Sequence, residues 1–299
     1  MNLLNVITYI FYSFLILLFF TSTVYAFAQS SAYDLNEKGI ELDNQGNHRE
    51  AISYYDKALK IAPNDVNILY NKGTALSNIG LNREAITYFD KAISINPIAI
   101  NAIIAKAITL ANLELYEEAI FFYDKVLKID PLDTAAITGK GDSFFFLEKY
   151  DEAITYYDKA LKIDPLDVDA IKGKGDNLFY LDKNDEAITY FDKALKIDPL
   201  DVDATKDKAV SLVALGKDDE AITYLDKALK IDPLDIDALT SKAMVLEDLG
   251  KYEEAKKLYE KVIILDPTQN NTLRDSLDSL NEAIKLNCRV LPDGNHYCP

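Results

Sequence analysis

Seven prolines stand 34 residues apart along this chain, and that period constrains the fold more than any other feature. The segment DEAITYYDKALKIDPLDVDA at 151–170 returns with one change at 185–204 and with two changes at 219–238. Self-similarity at a fixed period of this length is the sequence signature of stacked repeats. The sequence therefore predicts a repeat protein whose units are marked by Pro63, Pro97, Pro131, Pro165, Pro199, Pro233 and Pro267.

Each repeat contains two segments with the apolar spacing of an amphipathic helix, separated by a short polar turn. Proline cannot continue a helix, and the aspartate two residues later can cap the free amides of the next helix. The chain is thus predicted to be all-α and built from tandem helical hairpins. The repeats begin at Ala32, Val66, Ile100, Thr134, Val168, Val202 and Ile236, and the capping aspartates include Asp133, Asp167, Asp201 and Asp235.

Small residues recur where the two helices of a hairpin must approach closely. Position eight of each repeat is glycine or alanine, position twenty is always alanine, and position twenty-four is aromatic in every repeat except the sixth, where it is Leu225. With the proline at position thirty-two, these features resemble the tetratricopeptide repeat over residues 32–269. The resemblance implies a right-handed α-solenoid, and we expect the repeats to form a single unit.

Lysine occupies position seven of every repeat, where the family commonly has leucine, and position twenty-five is always acidic. Two interpretations stay open. Each lysine lies solvated over its hairpin with its stem on apolar surface, or the two positions form a regular ladder of ion pairs.

The N-terminal residues 1–28 are predicted to be a signal peptide or an N-terminal membrane anchor. Residues 3–20 are almost wholly apolar, and Ala26-Phe27-Ala28 has the small-x-small pattern of a signal-peptidase site. The apolar stretch is also near the minimum length for a membrane-spanning helix. We expect cleavage after Ala28 or, alternatively, a retained anchor. Both place the repeats outside the cytoplasmic membrane, in an extracellular or cell-envelope location.

Two segments follow the repeats. Residues 270–287 have helical apolar spacing and resemble the capping helix that covers the last hairpin of such solenoids. Residues 288–299 form a tail bounded by Cys288 and Cys298, which are predicted to form a disulfide in an exported chain. Two free thiols, or a metal site using both cysteines and His296, are the alternatives.

The composition argues against several classes of function. A net charge of −17 disfavours binding to nucleic-acid phosphates and favours neutral or basic partners. The only two histidines are His48, in a turn, and His296, in the tail, and no nucleophile motif or phosphate loop is present. The clustered carboxylates of DPLDVD lack the ligand spacing of a calcium loop. We therefore expect no catalysis, no cofactor and no metal.

The family resemblance implies a concave groove lined by the first helix of each hairpin, at positions two, five, nine, twelve and thirteen. Between repeats four and six the first helix varies while the second scarcely changes. Gly139 and Gly173 also leave bare backbone that would suit close approach of a ligand. Some of the groove aromatics could instead belong to the core between repeats. The predicted partner-binding residues are Thr138, Asp142, Phe145, Phe146, Lys172, Asp176, Phe179, Tyr180 and Lys206.

These observations predict an exported, non-enzymatic protein–protein interaction scaffold. A peptide or protein partner would bind in the concave groove, with repeats four and five at its centre. The alternative is a structural or assembly factor of the cell envelope. A membrane would be contacted only through an uncleaved N-terminal segment.

Overall fold

The computed structural model describes residues 31–287, 289–290 and 296–297, and almost all of this part is helical. The predicted signal peptide or anchor at 1–28 lies outside the described residues. A 3-10 turn, Pro267–Gln269, precedes the last helix, and a short antiparallel ladder joins β1 (Arg289–Val290) to β2 (His296–Tyr297). The α-helices are α1 (31–44), α2 (His48–Ile61), α3 (Val66–Asn78), α4 (Asn82–Ile95), α5 (Ile100–Ala111), α6 (Tyr116–Ile129), α7 (Thr134–Phe146), α8 (Tyr150–Ile163), α9 (Val168–Tyr180), α10 (Asn184–Ile197), α11 (Val202–Ala214), α12 (Asp218–Ile231), α13 (Ile236–Asp248), α14 (Tyr252–Leu265) and α15 (Asn270–Asn287).

The predicted all-α architecture of tandem hairpins is confirmed, because consecutive helices such as α3 and α4, or α9 and α10, pack against each other. That the repeats count as one unit stays an expectation. Contacts divide the chain into two compact units, Met1–Leu147 and Glu148–Pro299. Each repeat in a linear array contacts only its neighbours, so such a chain need not form one cluster of contacts.

Aspartates fix the turns that follow Pro131, Pro165, Pro199 and Pro233. Asp133 accepts a hydrogen bond from the amide of Ala136 (2.8 Å), and Asp201 accepts one from the amide of Ala204 (2.9 Å), so the predicted N-caps of α7 and α11 are confirmed. Asp198, just before Pro199, accepts a hydrogen bond from the amide of Leu200 (2.9 Å). The carboxylates of the DPLD turns therefore accept hydrogen bonds from backbone amides. Among the described residues, no cluster of His, Cys, Asp or Glu side chains could hold a metal ion.

The close packing within hairpins is confirmed at both predicted positions. A Cβ atom added to Gly175 would lie 2.6 Å from the ring of Phe191, and one added to Gly73 would lie 2.5 Å from the ring of Phe89. Larger residues would push the paired helices apart. The alanines at position twenty are fully buried; they are Ala51, Ala85, Ala119, Ala153, Ala187, Ala221 and Ala255.

Six of the seven lysines at position seven form the predicted ladder of ion pairs, and the solvated interpretation is wrong for these six. Lys38 of the first repeat is exposed and pairs with Glu41 on its own helix. Lys208 is 7% exposed, and its ammonium lies 2.5 Å from Asp192 of the preceding repeat. It also donates to the hydroxyl of Tyr224 (2.8 Å) and lies over that ring. The hydrogen bonds outweigh burial and raise its pKa above the ordinary value. The other pairs are Lys72–Asp56, Lys106–Asp90, Lys140–Asp124, Lys174–Asp158 and Lys242–Asp226.

Helix α15 packs its apolar face on the seventh hairpin. Leu280 is 1% exposed and joins a cluster with Leu239 of α13 and Tyr259 of α14. Cys288 and Cys298, the predicted disulfide, lie outside the described residues. No helix in the described part of the chain is both long and apolar enough to cross a membrane.

Candidate functional site

The candidate residues in the unit Met1–Leu147 lie on α7. Phe146 is 58% exposed, and its ring stacks on that of Tyr116 at a centroid distance of 5.1 Å and an interplanar angle of 7°. Phe145 is half-buried and meets Phe146 edge-on. Thr138 donates to the carbonyl of Thr134 (2.9 Å), while Asp142 is exposed. This end of α7 thus presents an aromatic surface with a carboxylate nearby.

The unit Glu148–Pro299 repeats this arrangement on α9. Tyr180 is 56% exposed and stacks on Tyr150 at 5.2 Å and 14°. Phe179 meets Tyr180 edge-on and packs partly into the cluster around Leu178 and Phe191. Position thirteen is therefore the exposed aromatic position in each unit, whereas the aromatic residue at position twelve is half-buried.

Tyr116 and Tyr150 were missed from the sequence, although a signal was present. Tyrosine occupies position seventeen in the third and fourth repeats, and an aromatic residue occupies position thirteen in the fourth and fifth. Each stacked pair joins position seventeen of one repeat to position thirteen of the next. Comparing the residues at position seventeen with those at position thirteen of the next repeat would have predicted the stacked pairs.

The predicted basic residues Lys172 and Lys206 are held in a charge network. Lys172 lies 3.0 Å from Asp201, and Lys206 lies 2.9 Å from Asp235, so each lysine pairs with the cap of a following helix. Asp203 lies near both lysines, at 3.9 Å and 3.3 Å. Burial alone would lower the pKa of each lysine, and the hydrogen bonds raise it above the ordinary value. The caps were predicted, but their pairing with these lysines was not.

Asp207 lies beside this network on α11. Burial and the neighbouring Asp203 raise the pKa of Asp207 to about 6, although Lys172 and Lys206 act in the opposite direction. Its position in the repeat is that of Gly139 and Gly173. Burial disfavours the charged form of the carboxyl group, so this group ionises at a higher pH than an exposed aspartate.

The proposed ligand role of Gly139 and Gly173 is wrong. A Cβ atom at Gly139 would lie 2.5 Å from the ring of Tyr123, and one at Gly173 would lie 2.6 Å from the ring of Tyr157. Both glycines therefore make room for the position twenty-four tyrosine of the preceding repeat. Burial, together with the nearby Asp142 carboxylate, raises the pKa of Tyr123 well above its ordinary value.

A polar cleft of about 360 Å³ lies in the first unit and was also missed. Asn71 donates its side-chain amide to the side-chain oxygen of Asn36 (3.0 Å), and Asn101 and Tyr70 are further lining residues. Amide side chains both donate and accept, which suits contact with a peptide backbone. These residues lie on α1, α3 and α5, which are all first helices of their hairpins.

Comparison with known families agrees with this geometry. Profiles described as tetratricopeptide repeat match residues 32–65, 54–87, 100–131, 135–166, 172–236 and 236–269. Comparison with curated proteins finds no significant match.

Solved structures share the fold. A tetratricopeptide repeat protein from Parabacteroides merdae is 20% identical, with a TM-score of 0.68 over 86% of this chain and 98% of that one. MamA from Desulfovibrio magneticus RS-1 is 24% identical, with a TM-score of 0.53 over 57% and 97%. YrrB, a TPR protein with an unusual peptide-binding site, is 25% identical, with a TM-score of 0.50 over 63% and 97%.

Proposed function

Because this chain belongs to the tetratricopeptide-repeat family, we propose that it is a non-enzymatic scaffold that binds a peptide or protein partner through the first helices of its hairpins. The observation that carries this proposal is the pair of exposed aromatic surfaces at the ends of α7 and α9. Phe146 and Tyr180 are each more than half exposed, although such residues normally favour burial. Their rings are held by stacking on Tyr116 and Tyr150, so little conformational entropy is lost when a partner binds.

The chemistry of these surfaces indicates the kind of partner. Aromatic side chains fixed at a surface are typical binding anchors, and they favour apolar or aromatic residues of a partner. Asp142 is exposed on α7, and Asp176 is half-buried on α9. With the net charge of −17, these carboxylates favour a neutral or basic segment. The peptide-binding site of the similar protein YrrB supports a peptide ligand.

The test is a pull-down from the native source with the full chain and three variants. Phe146→Ala and Tyr180→Ala should each reduce capture of the partner while leaving helical circular dichroism unchanged. Phe121→Ala is the matched control, since Phe121 is 56% exposed but lies on α6, a second helix. Equal capture by all four proteins would contradict the proposal.

We also propose that the protein is exported, on the evidence of the apolar N-terminus and the Ala26-Phe27-Ala28 motif. The mature chain would then begin at Gln29 and act outside the cytoplasmic membrane. Intact-mass measurement of protein from its native source tests this directly. A mass that includes residues 1–28 in a membrane fraction would support an anchor, and the same mass in the cytosol would contradict export.

A further inference from the structure

A cleft of about 740 Å³ lies among the second helices of the unit Glu148–Pro299. Its walls come from α10, from the turn that follows it, from Thr205 on α11, and from α12. None of the exposed aromatic residues on α7 and α9 lines it. The apolar part of the lining includes Leu195, Pro199, Leu200 and Ile231, and the polar part includes Tyr224 and three lysines. Clefts of about 300–1,000 Å³ with mainly apolar walls and few polar groups are typical of small-molecule sites.

The cleft is explained by one departure from the repeat pattern. In the fifth repeat, position four is Ile171, which is 2% exposed and packs with Leu161 and Tyr190. In the sixth repeat this position is Thr205, and the equivalent residues Leu195 and Tyr224 line the cleft with it. Thr205 is 3% exposed and is part of the lining. Because threonine is smaller than isoleucine, its side chain fills less apolar volume at this position than Ile171 does in the fifth repeat.

The hydroxyl of Thr205 does not need a ligand, because it donates to the carbonyl of Asp201 (2.7 Å). The seventh repeat restores a large apolar residue, Leu239, which is 1% exposed. Of the fifth, sixth and seventh repeats, only the sixth therefore has a small residue at position four.

The side chains that line the cleft carry more positive than negative charge, with three lysines and one aspartate. Asp192 also lines it, but its carboxylate is paired with Lys208. Lys227 lies over the ring of Tyr224 at 4.2 Å. Lys196 and Lys230 are exposed and form no ion pair with any described residue. Two unpaired ammonium groups beside an apolar cleft complement an amphipathic anion.

We propose that this cleft binds an aliphatic carboxylate. The alkyl chain lies along Leu195, Leu200 and Ile231 in the volume that isoleucine fills in the preceding repeat, and the carboxylate accepts hydrogen bonds from Lys196 and Lys230. The net charge of the protein does not prevent this, because charges beyond about 8 Å are screened at physiological ionic strength.

The test is calorimetric titration of the full chain with decanoate below its micelle-forming concentration. Thr205→Ile should raise the dissociation constant about tenfold or more, because it fills the volume used by roughly two methylene groups of the ligand. This variant installs the residue found at the same position of the fifth repeat, so it should fold. A second variant, Leu200→Ala, changes a side chain that is 68% exposed and should also weaken binding.

The charge contribution is tested by Lys196→Gln combined with Lys230→Gln, which should weaken decanoate binding about fivefold or more. Lys60→Gln combined with Lys128→Gln is the matched control, because these lysines occupy the same repeat position as Lys196 and Lys230 and the net charge changes equally. No binding by the unmodified protein, or equal binding by Thr205→Ile, would overturn the proposal. Equal weakening by both lysine pairs would also overturn it, since it would indicate only non-specific attraction.

Discussion

At the scale of single residues, the ring of Tyr157 restricts position 173 to a residue without a side chain. Alanine normally favours a helix over glycine by about 1 kcal/mol. The added Cβ atom of Gly173→Ala, however, would lie 2.6 Å from the tyrosine ring. We therefore expect Gly173→Ala to lower the free energy of unfolding by about 1–3 kcal/mol, measured by urea denaturation.

A double variant provides the control for this prediction. Leu225 occupies the position of Tyr157 in the sixth repeat and is 1% exposed, so leucine is accepted there. Tyr157→Leu should relieve the overpacking, and the cost of Gly173→Ala should be smaller in that background. An increase in stability on Gly173→Ala alone would mean that the contact with Tyr157 does not constrain this position.

The pKa of Asp207 gives a pH-dependent prediction. The pKa is raised to about 6 in the folded state, so between about pH 4 and pH 6 the folded chain binds more protons than the unfolded chain. The contribution of this group to stability is therefore greatest at low pH and is lost as the pH rises through 6. Asp207→Asn removes the buried charge and should stabilise the protein at pH 7 by about 1–3 kcal/mol.

The same comparison at about pH 4 should show almost no difference between Asp207→Asn and the unmodified protein, because the carboxyl group is then protonated in the folded state. Thermal unfolding at the two pH values measures this. A destabilised variant at pH 7 would indicate that the attraction of Lys172 and Lys206 exceeds the cost of burial.

The sequence was enough to identify which recurring residues form contacts, but not always which residues they contact. Lysine at position seven and acid at position twenty-five recur in every repeat, which favours an ion pair without showing whether it joins one repeat or two. The structure joins neighbouring repeats, as in Lys208 with Asp192. The glycines were assigned to a ligand because the preceding tyrosine, 16 residues away, was not considered as their neighbour.

At the scale of the element, helix boundaries could be predicted well because their signals are local. Proline stops one helix, and the aspartate two residues later caps the next. The backbone conformation of the turns within the hairpins was harder to predict. Gly46, Gly80, Gly216 and Gly250 have positive φ there, but Glu114, Glu148 and Asp182 adopt the same backbone conformation. Residues other than glycine seldom have a positive φ, so the sequence did not predict this conformation at these three positions.

The cap of α13 supports a prediction that separates hydrogen bonding from charge. Asp235 accepts a hydrogen bond from the amide of Ala238 (2.6 Å) and pairs with Lys206 (2.9 Å). Asp235→Ala removes both interactions, and we expect it to lower the free energy of unfolding by about 1–2 kcal/mol. Asp235→Asn keeps a side-chain oxygen for the cap and should cost less than half as much.

Asp237→Asn is the control for these variants, since Asp237 is exposed and lies 3.6 Å from the same lysine. It should change the free energy of unfolding by less than about 0.5 kcal/mol. Urea denaturation followed by helical circular dichroism measures all three. An equal loss for Asp235→Asn and Asp235→Ala would show that the ion pair, and not the cap, stabilises this turn.

At the scale of the whole molecule, the period and the small-residue columns were enough to predict the family and the order of hairpins. The division into Met1–Leu147 and Glu148–Pro299 was not predictable, because the boundary falls inside the fourth repeat, whose pattern is the same as that of its neighbours. The family resemblance implies a groove position for Phe146 and Tyr180, but the sequence left open whether each was exposed or buried between repeats. Their stacking partners lie 30 residues earlier, beyond what spacing within one helix reveals.

The C-terminal tail carries the last prediction. Cys288 and Cys298 lie outside the described residues, and a disulfide between them stays a prediction from the sequence. It is compatible with the antiparallel register of β1 and β2, in which Arg289 is opposite Tyr297 and Val290 is opposite His296. Thiol titration of denatured, non-reduced protein prepared from its native source should find no free thiol, and two free thiols would contradict the disulfide.

The repeats should not depend on this bridge. Residues in a linear array of repeats are stabilised by their nearest neighbours, and α15 packs on the last hairpin through its own leucines. A loop of about ten residues closed by a disulfide is worth roughly 2.5–3 kcal/mol to the tail on the chain-entropy model. Reduction should therefore leave the melting temperature of the repeats nearly unchanged while increasing proteolysis after 287. A large fall in that melting temperature would instead show that the tail stabilises the helical array.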